Sequence, residues 1–180
     1  MTTPTYRRRE YGGPAPLTPR PMSDSKSELS QVMLPNDANP LGNVHGGSIM
    51  KMVDVAAAVA AMRHSHRAVV TVSMDHMSFL EPVYIGDLVT VTACVEYVGR
   101  TSMLVRAEVQ AENPASGRKA HTSSCILTYV ALDDEGRPAP VPPVLAETLE
   151  EQARLEQAKR LYERAKQERT RLAGSQANTS

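Results

Sequence analysis

The chain has 180 residues, which is enough for one domain with tails. Lys+Arg and Asp+Glu each number 20, so the formal net charge is zero, and the composition favours neither nucleic acid nor an anionic membrane as a partner. The sequence contains no N-terminal apolar stretch of the kind that forms a signal peptide or a membrane span. We therefore expect a cytoplasmic protein.

The N-terminal stretch, residues 1–26, holds five of the 13 prolines together with Ser, Thr and Arg. Almost no apolar periodicity is present in it. A segment of this composition cannot bury a core of its own, so residues 1–26 are predicted to form a disordered tail.

The pattern changes after this tail. Residues 27–34 are typical of a strand, and residues 35–47 are predicted to be a long loop because they combine Pro, Gly and Asn. Residues 48–64 are almost wholly apolar and predict a helix. Asp54 interrupts that helix at a position where a core would favour Leu or Ala.

Four strand-like runs follow, at 68–80, 87–98, 102–112 and 119–133. The third run alternates most regularly between apolar and polar residues, which indicates a strand with one buried face. Short turn-rich links join the runs and predict an antiparallel meander. Since one long apolar helix must be covered on most sides, the expected class is α+β, with a curved antiparallel sheet wrapped around the helix over residues 27–143.

The C-terminal part is charged. The segment PAPVPP (138–143) is a stiff linker, and residues 144–173 predict a solvated helix with Glu–Arg pairs four residues apart. Residues 174–180 are predicted to be a disordered tail. The two cysteines, Cys94 and Cys125, lie far apart without a Cys-x-x-Cys pattern or a nearby His pair, so we expect them to pack as small apolar side chains.

Two segments together carry a resemblance to a known family: ANPLGNVHGGSIMKMVD (38–54) and FLEPVYIGD (79–87). They resemble the cytosolic acyl-coenzyme A hydrolases, thioesterases with the hot-dog fold. The resemblance implies hydrolysis of fatty acyl-CoA to the free acid and CoA, without a metal or a bound cofactor. It also implies homodimers, often assembled as trimers of dimers, that is, hexamers. Some members carry two hot-dog copies in one chain; this chain has one.

The chemistry of thioester hydrolysis agrees with this resemblance, because it requires an activated water and a stabilised oxyanion. Gly46 and Gly47 precede the predicted helix, where backbone N–H groups and the helix dipole can form an oxyanion hole. The alternative is a simple loop-to-helix hinge. Asp54 is the predicted base, or a nucleophile that forms a mixed anhydride. The alternative for Asp54 is a buried acid satisfied by hydrogen bonds or by a Lys or Arg, and Lys51 lies three residues earlier.

The resemblance assigns further residues. Asn39 matches the catalytic Asn of the family, although a loop Asn before Pro40 can also simply bond its own backbone. His45 is expected to shape the loop beside the glycines. The turn with Arg100, Thr101 and Ser102 is expected near the CoA tail, where Arg suits phosphate; the alternative is a plain hairpin turn.

The spacing of Gly47 and Asp54 leads to a hypothesis about the assembly. They lie seven residues apart on one helix, which is about 10 Å along its axis. One carbonyl group would not easily reach both. We therefore expect each site to take Gly47 from one chain and Asp54 from a second chain.

Two rival functions remain. Some hot-dog hydratases and dehydratases carry an Asp-x4-His pattern, whereas Val59 stands five residues after Asp54. A hot-dog domain can also bind acyl-CoA as a sensor without turnover. Repressors of that kind carry a helix-turn-helix domain, for which residues 1–26 are too short and too rich in Pro.

Overall fold

The computed structural model of the protein describes residues 17–75 and 77–177, the last ten by their backbone alone. In chain order the strands and helices are β1 (Arg20–Pro21), β2 (Ser27–Val32), α1 (Gly46–Ser65), β3 (Ala68–Asp75), β4 (Leu88–Val98), β5 (Ser102–Asn113), β6 (Arg118–Leu132), β7 (Val144–Leu145) and α2 (Leu149–Ala177). Short 3-10 helices lie at Met22–Ser25 and Pro35–Asp37.

Five strands form one antiparallel sheet in the order β2-β4-β5-β6-β3, and helix α1 packs against all five. The alternation in the sequence explains which face of the sheet meets the helix. Met103, Val105, Ala107 and Val109 of β5 are all fully buried in the core. The predicted fold class, an antiparallel sheet around a central helix, is confirmed.

Helix α1 begins two residues earlier than predicted, at Gly46, and ends at Ser65. Its buried stripe is rich in alanine: Ala56, Ala57, Ala60 and Ala61 are at most 2% exposed. Small side chains let the helix axis lie close to the sheet, so the sheet can curve around it.

Two strand predictions need correction at their ends. The strand predicted over 27–34 ends at Val32, and the one predicted over 68–80 ends at Asp75. Residues 77–80 form no regular element, although Leu80 still donates its backbone N–H to the carbonyl of Thr122 on β6.

The predicted N-terminal tail extends too far. Residues 1–16 lie outside the described residues, but Arg20–Ser25 form β1 and a 3-10 helix. Met22 is only 1% exposed, and Ser25 Oγ accepts the backbone N–H of Val95 at 2.9 Å. This anchor lies on a strand far along the chain, so local composition gave no sign of it.

The C-terminal helix is confirmed, with different bounds. Residues Val144–Leu145, predicted as helix, instead pair with β1, and α2 runs from Leu149 to Ala177. Residues 178–180 of the predicted tail lie outside the described residues. The apolar stripe of α2 packs on the domain itself: Ala158 is fully buried, and the Tyr162 and Tyr97 ring centroids are 5.1 Å apart.

Both cysteines are buried and free, as expected. Within the described part of the chain, no helix is long and apolar enough to cross a membrane.

Candidate active site

Asp54 lies on the flank of α1, next to the buried stripe and not within it. Its side chain is half-buried within the single chain, although the apolar run around it predicted burial. The carboxylate oxygen Oδ1 accepts two hydrogen bonds, one from Thr71 Oγ1 and one from Tyr129 Oη, each at 2.8 Å. No ion pair joins Asp54 to Lys51 among the described residues, so the paired form of the structural alternative lacks support, whereas its hydrogen-bonded form is present.

The sheet supplies both donors. Thr71 of β3 and Tyr129 of β6 are direct partners across the antiparallel pair. The register then shifts, leaving Val72 as an extra residue, a bulge that changes which face the following side chains occupy. Val69 and Met74 pack against the core on either side of this bulge. Thr71 is therefore the last residue of β3 before the side chains exchange faces.

Tyr129 is almost completely buried, at 1% exposure, and only its hydroxyl reaches the polar cluster. Burial, and then its hydrogen bond to Asp54, raise the pKa of Tyr129, so the hydroxyl stays protonated and remains a donor. Sequence reasoning missed both Thr71 and Tyr129. A hydroxyl inside the run AVVTV was the available signal for Thr71, but only the strand pairing connects it to Asp54.

The N-terminus of α1 carries the predicted glycines. The N–H groups of Ser48 and Ile49 both bond to the His45 carbonyl, at 2.9 and 3.4 Å. Among the described residues, the N–H groups of Gly46 and Gly47 have no such partner, and no side chain caps the helix. Two free N–H donors thus lie at the positive end of the helix dipole.

The two glycines differ in their surroundings. A Cβ added at Gly46 would lie 3.3 Å from the ring of Phe79, so the ring packs closely over this backbone. A Cβ at Gly47 would meet no atom within 4 Å. The space beside Gly47 is open to a ligand.

Asn39 anchors the loop before the helix. Its Oδ1 accepts the N–H groups of Leu41 at 2.8 Å and Asn43 at 3.2 Å. The backbone bond of the loop-Asn alternative therefore exists. Its Nδ2 group donates no hydrogen bond within the described part of the chain and is free to meet a ligand.

His45 is exposed and precedes the first residue of α1. Its backbone N–H bonds the carbonyl of Asp37 at 2.7 Å, which closes the loop. Its loop-shaping role stays a prediction.

The turn between β4 and β5 faces helix α2. Ser102 Oγ donates to Tyr162 Oη at 3.2 Å, so its hydroxyl is already engaged by that helix. The carbonyl groups of Arg100 and Thr101 accept backbone N–H groups from Val141 and Ala131. The Arg100 side chain is exposed and forms no ion pair with any described residue. The role of this turn in CoA binding stays a prediction.

Within one chain, the predicted residues fall into separate groups. Asp54 lies with Thr71 and Tyr129, whereas Asn39 and the glycines lie at the loop–helix junction. No hydrogen bond between described residues joins these two groups. Among the described residues no set of three or more His, Cys, Asp or Glu side chains could hold a metal ion. The expectation that no metal or cofactor is needed stays a prediction.

Comparison with known proteins identifies related sequences. A family model described as the thioesterase superfamily matches residues 41–117. An acyl-CoA thioester hydrolase of Bacillus subtilis is 38% identical over 128 residues, which cover 71% of this chain and 74% of that protein. The cytosolic acyl coenzyme A thioester hydrolase of Rattus norvegicus is 34% identical over 85% of this chain, which spans only 41% of the rat protein.

Solved structures share the fold. An acyl-CoA hydrolase of Staphylococcus aureus, solved with butyryl coenzyme A and coenzyme A, is 34% identical, with a TM-score of 0.79 over 87% of this chain and 95% of that one. A hexameric hot-dog fold thioesterase of Campylobacter jejuni is 40% identical, with a TM-score of 0.60 over 63% of this chain and 87% of that one. The expected hot-dog fold is confirmed.

Structures of the Staphylococcus aureus enzyme have also been solved with a single Asn, Asp or Thr replaced by Ala. Those three residues follow one another at intervals of 15 and 17 positions, the same intervals that separate Asn39, Asp54 and Thr71 here. The match includes Thr71, the hydroxyl that the structure places on Asp54.

Proposed function

This chain belongs to the acyl-CoA thioester hydrolase family and is a thioester hydrolase; we propose that it hydrolyses fatty acyl-CoA to the free acid and CoA. The observation that carries the proposal is the hydrogen-bonded pair of Asp54 and Thr71, at the same interval as the residues replaced in the Staphylococcus aureus enzyme. A half-buried carboxylate held by neutral hydroxyls remains accessible to a substrate.

The oxyanion hole is the uncapped start of α1. As water attacks the thioester carbonyl, negative charge develops on its oxygen. The free N–H groups of Gly46 and Gly47 can donate to that oxygen, and the helix dipole favours the charge. The open space beside Gly47 supports this role, because the carbonyl must approach the backbone closely.

Asn39 is proposed to bind the same carbonyl or the attacking water. Its Oδ1 is held by two backbone N–H groups of its own loop, which fixes the direction of the amide. The Nδ2–H group, which donates to no described residue, is then a preoriented donor. The loop bond and the catalytic role are therefore compatible in one conformation.

Asp54 is proposed to activate the water as a general base. In that route the water oxygen bonds the carbonyl carbon, its proton passes to the carboxylate, and the C–S bond breaks to release CoA. A direct attack by the carboxylate, giving a mixed anhydride, remains the second route.

We propose that two chains form each site. The helix places Gly47 and Asp54 about 10 Å apart along its axis, and one substrate carbonyl would not easily reach both in one chain. The hexameric Campylobacter jejuni thioesterase supports a hexamer, which we propose to be a trimer of homodimers. Mixing Asp54→Asn chains with Asn39→Ala chains, with subunit exchange, should restore part of the activity. A mixture as inactive as each variant alone would argue against shared sites.

The CoA moiety is proposed to lie near the β4–β5 turn. The exposed Arg100 guanidinium suits a phosphate group, and Thr101 adds a hydroxyl. Ser102 would contribute only if Tyr162 gave up its hydrogen bond. The reaction as proposed uses only protein groups and water, and we place it in the cytoplasm.

The test is CoA release from acyl-CoAs of increasing chain length, followed with a thiol reagent. Asp54→Asn should lower turnover by about 10²–10⁴-fold, the usual contribution of a positioned acid or base. Asp24→Asn, the same change at an exposed site, should leave it unaltered. Wild-type protein that binds acyl-CoA but releases no CoA would instead favour the sensor function.

A further inference from the structure

We infer that Tyr129 is a positioning residue that, together with Thr71, holds one oxygen of Asp54 and leaves the other, Oδ2, as the oxygen that reacts. This inference rests on the proposed function and adds a residue to it. Both hydroxyls converge on Oδ1 at 2.8 Å. No described residue donates a hydrogen bond to Oδ2.

The single proton of the Tyr129 hydroxyl goes to the carboxylate. Its oxygen also lies 2.9 Å from the backbone carbonyl of Asp54, but it can donate fully to only one acceptor. The carbonyl of a residue in mid-helix already accepts an N–H from the next turn. The ionised carboxylate is the stronger acceptor, so it takes the proton.

The two donors are fixed to the sheet and the acid to the helix. Thr71 and Tyr129 face each other across β3 and β6, and the Tyr129 ring is locked in the core at 1% exposure. Rotating the Asp54 carboxylate to exchange its oxygens would break both hydrogen bonds at once. The carboxylate is therefore held in one orientation before a substrate arrives.

The bulge at Val72 explains why one strand can supply this donor. Without the extra residue, the inward alternation of Val69 and Thr71 would continue to Ser73 and leave Met74 outside the core. With it, Met74 packs against the core and Thr71 remains beside the helix. The strand thus keeps its buried anchor and still presents a hydroxyl to Asp54.

The chemical consequence is the same for both routes. In the base route, Oδ2 accepts the proton of the attacking water as the C–O bond forms. In the nucleophilic route, Oδ2 itself bonds the carbonyl carbon and the C–S bond breaks, which releases the CoA thiolate and leaves a mixed anhydride that water then hydrolyses. Either way the clamp excludes Oδ1, and orientation of the reacting oxygen should affect kcat more than KM.

A double-mutant cycle tests the clamp: Tyr129→Phe, Thr71→Val and the double variant, each measured for kcat, KM and thermal midpoint. Either hydroxyl alone still holds Oδ1, so each single variant should lose roughly tenfold or less in kcat with KM nearly unchanged. The fold loss in kcat of the double variant should exceed the product of the two single losses. Thr71→Ser keeps the hydroxyl and should restore turnover, and Tyr97→Phe is the matched control for a lost tyrosine hydroxyl.

Three results would overturn the clamp while the wild type remains active. The first is a double variant whose fold loss in kcat equals the product of the two single losses. The second is an effect confined to KM, and the third is a Thr71→Ser variant that does not recover turnover. A general loss of packing would lower the thermal midpoint and would not be rescued by serine. A wild type that releases no CoA would remove the proposed function and the clamp with it.

Discussion

Two carboxylates lie on opposite faces of this sheet in different surroundings. Asp54 faces β3 and β6 from the inner helix, whereas Glu96 lies on the outer face, which α2 covers. Glu96 is 1% exposed, and both of its oxygens lie within 3.0 Å of Arg106 Nε, at 2.9 and 3.0 Å. Asp54 is half-buried and has neutral donors on one oxygen only.

The difference separates a structural acid from a reactive one. A carboxylate that is buried and held by a guanidinium offers no accessible oxygen to a substrate. Glu96 is also the extra residue of a bulge in β4, just as Thr71 lies directly before a bulge in β3.

The largest effect on stability should come from breaking the ion pair of Glu96 and Arg106 on the outer face of the sheet. Glu96→Ala leaves the Arg106 charge without its partner in a mostly buried place, and unfolding free energy should fall by about 3–5 kcal/mol. Urea denaturation measures this loss. The fraction that folds should keep wild-type kcat, whereas Asp54→Asn should keep stability and lose kcat. A Glu96→Ala protein as stable as wild type would show that Glu96 is not a structural acid, and the contrast with Asp54 would fail.

The next largest effects should come from replacing two glycines by Ala, Gly99 on the outer side of the sheet and Gly47 on the inner side. A Cβ at Gly99 would lie 2.5 Å from Tyr162 Oη and 2.9 Å from Cζ, so Gly99→Ala must displace the Tyr162 ring and disturb its packing between α2 and the sheet. We expect a loss of about 1–3 kcal/mol in unfolding free energy, as for overpacked sites.

Gly47→Ala is the counterpart on the inner side. A Cβ there meets nothing within 4 Å, so stability should be unchanged. Its methyl group would nevertheless occupy the space proposed for the thioester carbonyl, and kcat should fall by about 10²-fold. If Gly47→Ala destabilised the protein and Gly99→Ala only slowed it, the assignment of the two faces would be reversed.

The sequence predicted the parts of this molecule that depend on local periodicity. The alternation through Met103, Val105 and Ala107 determined which face of β5 is buried, and the run around Asp54 predicted α1. Glycines before an apolar helix, together with Asn39, pointed to the candidate site. These inferences need only the period of a strand or helix and the chemistry of a residue type.

The features that the sequence did not predict depend on long-range pairing. Thr71 and Tyr129 meet only because β3 pairs with β6, and the bulge at Val72 has no local signature. Met22 is buried because of its neighbours around Cys94, more than seventy residues later. Asp54 was expected in the core because alanines on α1 do not distinguish the buried stripe from its flank.

The smallest effect is a dependence on pH. Burial raises the pKa of Glu96 above its ordinary 4.5, although the Arg106 guanidinium opposes the shift. The native state therefore holds this proton more readily than the unfolded state, and stability falls as pH rises from about 4.5 through the raised pKa.

Unfolding free energies of wild type and Glu96→Gln, measured from pH 4 to 7, isolate this term because the amide does not titrate. Wild type should lose stability relative to the variant as pH rises, with a slope of at most about 1.4 kcal/mol per pH unit. A slope of the opposite sign would mean that the attraction of Arg106 outweighs burial. Glu96 would then be a stabilising anion, and the outer face would owe its stability to charge pairing more than to packing under α2.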